Sequence, residues 1–138
     1  MTEETRHTPP WAVATAGLLS AVLLLVGTVS HLSDLLRHGL HPYDWAPHWL
    51  NLYWASLTVF DTLAAVLLLR RRRLGVDLAC AIVTTDLAAH WYAAHHVRHA
   101  VPLSGAGEQR LAAFAVLVLA TAPYLRRALP HPRQRPGE

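Results

Sequence analysis

Residues 11–30 contain no charged side chain, and this run restricts the fold more than any other feature of the chain. At about 1.5 Å per residue, a helix of this length spans the roughly 30 Å hydrocarbon layer of a bilayer. A cleaved signal peptide would have a basic start and an apolar core of about 7–15 residues. This chain begins with Glu3, Glu4 and Arg6, and its apolar run is longer. We therefore predict a membrane-spanning helix.

Three further apolar segments follow the first, separated by segments that hold glycine, proline or arginine. Inside hydrocarbon a backbone must satisfy its own hydrogen bonds, so each segment is predicted to be a helix. Short connectors make successive helices antiparallel neighbours. The fold class is therefore all-α, a four-transmembrane-helix bundle of up-down-up-down topology. The predicted spans lie at about residues 11–36, 49–70, 74–97 and 110–128. They form one membrane domain, residues 11–129, between disordered cytoplasmic tails at 1–10 and 130–138.

The arginine distribution predicts the orientation of the bundle, because cytoplasmic loops carry an excess of basic residues. Nine arginines belong to the two tails, to the end of the fourth span beside the C-terminal tail and to the second connector, residues 70–73. The first and third connectors, with the segment ends beside them, hold the remaining three, Arg37, Arg98 and Arg110. Both termini are therefore predicted to face the cytoplasm of a multi-pass plasma-membrane protein.

Composition argues against nucleic acid as a partner. The basic residues are all arginine and gather in short clusters between apolar runs, so they form no continuous basic face. A lysine-free, arginine- and alanine-rich chain is typical of a bacterium with a GC-rich genome. The expected partners are the lipid bilayer and a lipophilic small molecule. A second copy of the chain or a partner membrane subunit is a further expected partner.

Ten histidines are present, and their placement is the main indication of function. Eight of them fall on the predicted outer half of the membrane domain. They come from two separate stretches, residues 31–48 and 90–99. The sequence therefore predicts a histidine-rich extracytoplasmic side.

Helical spacing selects the polar residues that can meet inside the bundle. Asp86 and His90 are an i,i+4 pair and so share one face of the third span. An ionised carboxylate facing lipid costs at least about 2.5–3.5 kcal/mol near the midplane, so Asp61 and Asp86 are expected to face the interior. We predict Asp61, Asp86 and His90 as candidate catalytic residues. Further pocket candidates are His31 and Asp34 on the polar stripe of the first span, and Asn51, Trp54 and Thr58, which lie on or beside the Asp61 face of the second span.

Three functional hypotheses follow from this arrangement. The first is an outward-facing His/Asp pocket that binds a transition metal (Zn, Cu or Fe), haem or a small ligand. The candidate metal ligands are His31, Asp34, His38, His90 and His96. The second is a membrane enzyme that uses Asp/His acid–base chemistry on a lipophilic substrate, as an isomerase does. The third is a non-catalytic accessory subunit of a membrane complex. Whether the chain is an enzyme stays open at this point.

The segment HWYAAHHVRH, residues 90–99, resembles the histidine boxes of membrane di-iron desaturases only loosely, since those proteins need several boxes and a longer chain. Four spans with acidic groups in the bundle resemble the EXPERA group, which includes sterol isomerases, and the small DoxX group is a further four-span architecture. Both likenesses concern architecture alone, and neither implies a role for a particular residue.

Overall fold

The computed structural model describes residues 9–100 and 103–129. These residues form four α-helices and one π-helical turn. Their bounds are α1 Pro10–His38, α2 His48–Leu69, α3 Arg73–Tyr92, the π-helical turn Ala93–Val97 and α4 Ala106–Ala128. The predicted all-helical class is confirmed for this part of the chain. The predicted tails fall almost entirely outside the described residues.

Proline and glycine define the ends of α1. Pro10 occupies the first helical turn, where a missing N–H costs nothing and the fixed φ suits a helix. Gly39 follows the last turn with φ 69°, and its N–H donates to the Leu35 carbonyl at 2.9 Å. A positive φ is readily adopted by glycine, which explains why α1 ends here.

The arginine turn between α2 and α3 is tight enough to need a residue without a side chain beside it. Arg71 has φ 54°, and Arg72 N–H donates to the Leu67 carbonyl at 2.9 Å. A Cβ at Gly75 would lie 2.6 Å from the backbone nitrogen of Leu68. Glycine at this position therefore lets α3 start in direct contact with the end of α2.

Small and branched apolar residues fill the centre of the bundle. Ala21, Leu24, Leu50, Ala64 and Val83 are buried there. Large apolar side chains lie on the outer surface instead, among them Val26, Val29, Val59, Leu63 and Val116. Such an extensive apolar exterior is typical of a membrane-exposed surface.

Three of the four helices, α1, α2 and α4, are long and apolar enough to cross a membrane. This finding fits a multi-pass membrane protein. Among the described residues, helix α3 is not apolar enough to be counted with these three. The physical reason is its content of polar groups, since Asp77 and Asp86 lie within its 20 residues.

The two ends of the bundle have different chemistry. At one end Val13, Leu68 and Leu125 line a common cavity. There Arg126 forms an ion pair with Asp77. The opposite end holds the first connector, the π-helical turn and the start of α4, and the candidate site lies there.

Candidate functional site

A buried carboxylate links α2 to α3 at the centre of the site. Asp86 is 7% exposed, and its Oδ1 accepts a hydrogen bond from the Trp54 indole N–H at 3.1 Å. The same oxygen lies 3.1 Å from His90 Nδ1. Helical geometry produces the second contact, because residues four apart lie one above the other on α3.

The surroundings of His90 determine which ring nitrogen carries the proton. Nδ1 lies 3.0 Å from the Asp86 backbone carbonyl as well as beside the Asp86 carboxylate. Both partners are acceptors, so Nδ1 is assigned as the N–H donor. In the neutral ring, Nε2 is then left as a hydrogen-bond acceptor for another molecule.

Three aromatic rings pack around this pair. Tyr43 and Trp45 come from the first connector, and Trp54 comes from α2. Ring centroids are separated by 5.0 Å for Tyr43–Trp54, 6.0 Å for Trp45–Trp54 and 5.8 Å for Tyr43–Trp45. These separations are typical of favourable aromatic contacts. We call the three rings the aromatic triangle; the His90 ring lies 5.2 Å from Trp54.

Asn51 fixes the first connector over the site. It is 1% exposed, and its Oδ1 accepts from the Tyr43 backbone N–H at 3.0 Å. Its Nδ2 donates to the carbonyls of Tyr43 and Ala46 at 3.1 and 3.0 Å. One buried amide thus determines where Tyr43 and Trp45 lie.

The Tyr43 side chain extends the same arrangement to α1. Its hydroxyl donates to Asp34 Oδ2 at 2.6 Å. Burial raises the pKa of Tyr43 above its ordinary value, and the hydrogen bond to Asp34 raises it further. A raised phenol pKa favours the protonated form, so Tyr43 stays a hydrogen-bond donor at neutral pH.

An ion pair lies across the outer side of the site. Arg98 binds Glu108, which is 8% exposed at the start of α4. Glu108 Oε2 also accepts from the Leu103 N–H at 2.7 Å. The Arg98 guanidinium lies 5.3 Å from the centre of a Trp45 ring, a favourable cation–π position. The third loop, the start of α4 and the aromatic triangle are therefore joined.

Two neighbouring cavities meet at the histidines. The first, here named the inner chamber, has a volume of about 260 Å³ and is lined by the aromatic triangle, His31, His90 and Glu108. The second, the lateral groove, has a volume of about 640 Å³ and lies open between α1 and α4. Leu23, Phe114 and Leu117 are among its apolar walls, and Asp86 and His90 of α3 also line it. His31, His90 and Gly107 line both spaces.

Asp61 lies deeper, between α2 and α1. It is 4% exposed, and a Cβ at Gly27 would come within 2.7 Å of its Oδ2. Among the described residues its buried Oδ1 has no hydrogen-bond partner, and the same holds for Thr58 Oγ1. The expectation that Asp61 and Asp86 face the bundle interior is confirmed, and their chemical roles stay predictions.

The candidate metal ligands are not gathered into one centre. Within residues 9–100 and 103–129, no three His, Cys, Asp or Glu side chains are grouped so that they could hold a metal ion. His38 and His96 are exposed at the surface. Asp34 is bound to Tyr43, and His90 is bound to Asp86.

Of the pocket candidates, His31 and Trp54 line the inner chamber, whereas Asn51 holds the connector. The residues that sequence reasoning missed are Tyr43, Trp45, Arg98 and Glu108. Tyr43 and Trp45 lie in an irregular segment without periodicity, so no pattern indicated where their rings would point. The predicted fourth span starts at about residue 110, but α4 begins earlier, at Ala106, and includes Glu108.

No protein-family model matches this chain, and no curated protein or solved structure gives a significant match.

Replacing Asn51 with leucine keeps the side-chain volume but removes its hydrogen bonds to the connector. We expect a loss of about 2 kcal/mol of stability, because buried backbone groups of the connector lose their partners. Thermal unfolding followed by circular dichroism in detergent measures this loss. The neighbouring exposed position provides a control, and Leu52→Ala should change stability by less than about 0.5 kcal/mol. Equal effects of the two substitutions would contradict the role assigned to Asn51.

Proposed function

We propose that this chain is a multi-pass membrane protein that binds a lipophilic small molecule in the lateral groove, beside Asp86 and His90. The observation that carries the proposal is the combination of an open, mainly apolar space of about 640 Å³ with a hydrogen-bonded pair in its wall, formed by the buried Asp86 and the half-buried His90. Ligand sites are commonly cavities of about 300–1,000 Å³ with predominantly apolar walls and a few placed polar groups.

The position of the groove suggests how a lipophilic molecule enters. A Cβ at Gly17 would lie 3.6 Å from Leu125 Cδ2, so α1 and α4 approach closely at that end of the bundle. Toward His31 and Gly107 the same two helices border the groove. We infer that a ligand dissolved in the bilayer enters sideways between the first and last helices.

The orientation proposed for the bundle is up-down-up-down, with α3 as a fourth span and both termini in the cytoplasm. The arginine distribution supports it. The interior position of Asp86 supports a span that carries its charge inward. The site then lies on the extracytoplasmic half of a plasma-membrane protein.

A cysteine at position 41 tests this orientation. In a Cys80→Ser background, His41→Cys should react in intact cells with a maleimide that cannot cross membranes, whereas Arg72→Cys should react only after lysis. Reaction of Arg72→Cys in intact cells, with His41→Cys protected, would show the opposite orientation.

A small ligand is favoured over a metal or haem because the candidate ligands His38 and His96 lie at the surface, apart from His90. One observation favours a second candidate function, acid–base catalysis on a lipophilic substrate. His90 holds its Nδ1 proton against Asp86 and lines both cavities, which leaves Nε2 available to accept a proton. Such an enzyme would use the same binding site.

Filling the groove tests the proposed binding. We expect 4-dodecylanisole, an apolar probe without a free hydroxyl, to bind saturably to the full chain in phosphatidylcholine nanodiscs. Ala113→Trp places an indole in the groove wall and should weaken binding at least about tenfold by isothermal titration calorimetry. Ala120→Trp, two turns further along α4 and exposed, is the matched control and should bind as the natural chain does. Absence of saturable binding to the unsubstituted chain would overturn the proposal.

A further inference from the structure

The inner chamber and the lateral groove differ in chemistry, and they adjoin at His31 and His90. We propose that the ligand is a phenolic lipid, with a hydroxylated aromatic ring in the inner chamber and an alkyl or isoprenoid chain in the lateral groove. This inference rests on the proposed function and specifies the chemical class of the molecule bound.

Three side-chain donors around the inner chamber, those of Trp54, Tyr43 and Arg98, are already in use. The Trp54 N–H is bound to Asp86, and the Tyr43 hydroxyl is bound to Asp34. Arg98 is paired with Glu108, so its charge is balanced. His31 is left as a side-chain donor for a ligand in the inner chamber, so a ligand that only accepts hydrogen bonds, such as a quinone, ether or ester, can use this donor but leaves the His90 acceptor unpaired.

Acceptors remain unused at the same place. His90 Nε2 accepts in the neutral ring, because Nδ1 carries the proton. Asp86 lines the groove, and its Oδ2 receives no hydrogen bond from residues 9–100 or 103–129. A ligand hydroxyl that donates to His90 satisfies this site. His31 lines both cavities as well, so its imidazole N–H can donate to the same hydroxyl oxygen.

The aromatic triangle indicates that the hydroxyl is carried by an aromatic ring. Tyr43, Trp45 and Trp54 present ring surfaces to one chamber of about 260 Å³, a size that suits a single ring. Aromatic pairs gain a favourable contact energy beyond the burial of area, and a saturated ring gains none of this. A phenol O–H is also a stronger donor than an alcohol O–H, which favours a contact with imidazole.

The ordinary membrane alternatives fit less well. A sterol carries a hydroxyl but no aromatic ring, and a quinone carries a ring but no hydroxyl. An anionic headgroup in the inner chamber would have to displace Glu108 from Arg98, although Glu108 is buried and bound to the Leu103 N–H too. Arg110 lines the lateral groove instead, where the proposed ligand places its apolar chain. These alternatives make different predictions for three matched probes with the same chain.

The test compares 4-dodecylphenol, 4-dodecylanisole and 4-dodecylcyclohexanol with the full chain in nanodiscs. The phenol should bind about tenfold tighter than the anisole, because the anisole cannot donate to His90 Nε2. It should also bind about three- to tenfold tighter than the cyclohexanol, which lacks the aromatic ring. Equal binding of phenol and anisole would overturn the inference and leave groove binding intact. If no probe binds saturably, the proposed function fails too.

Two variants show whether the preference comes from these residues. His90→Phe should abolish the phenol-to-anisole ratio and still bind the anisole, whereas His38→Phe, at an exposed position, should keep the ratio. Trp45→Leu should reduce the preference for phenol over cyclohexanol, and this substitution leaves the side chains of Asp86 and His90 in place. A preserved phenol preference in folded His90→Phe, or an unchanged ring preference in Trp45→Leu, would contradict the assignment.

Discussion

The rest of the site depends on one buried acceptor, the carboxylate of Asp86. It receives the Trp54 N–H from α2 and faces His90 Nδ1 one turn along α3. Removing charge from water is costly, so a carboxylate at this depth needs such partners. The same contacts bring a tryptophan face to the inner chamber and leave His90 Nε2 available. The Asp86 carboxylate therefore both links α2 to α3 and sets the hydrogen-bonding properties of the pocket.

The two regions outside the regular helices complete the site by different means. The first connector is held by hydrogen bonds from the buried side-chain amide of Asn51 on α2, which fix the positions of Tyr43 and Trp45. The third loop is joined to α4 through Arg98 and Glu108. Polar contacts thus position the aromatic walls of the inner chamber, and apolar side chains form most of the wall of the lateral groove. A molecule with a polar ring and an apolar chain matches both spaces.

The sequence predicted the helical architecture because apolar length and helical spacing are local properties. The shared face of Asp86 and His90, and the inward position of Asp61, follow from periodicity and from the cost of charge in lipid. The aromatic triangle was not predictable, because it depends on how an irregular connector folds back through Asn51. The ion pair of Arg98 and Glu108 was not predictable either, because it closes a loop whose sequence has no periodic pattern. The candidate metal ligands are not brought together, because a predicted position on one side of a membrane does not place side chains within bonding distance.

The tautomer of His90 tests the central interaction most directly. Histidine labelled with ¹⁵N, with the His90 signals assigned by their loss in His90→Gln, reports which ring nitrogen carries the proton. At a pH at which the ring is neutral, we expect protonated Nδ1 and unprotonated Nε2, with the Nε2 signal shifted on addition of 4-dodecylphenol. A neutral ring protonated at Nε2 would show that Asp86 does not hold Nδ1, and the site described above would not exist in that form.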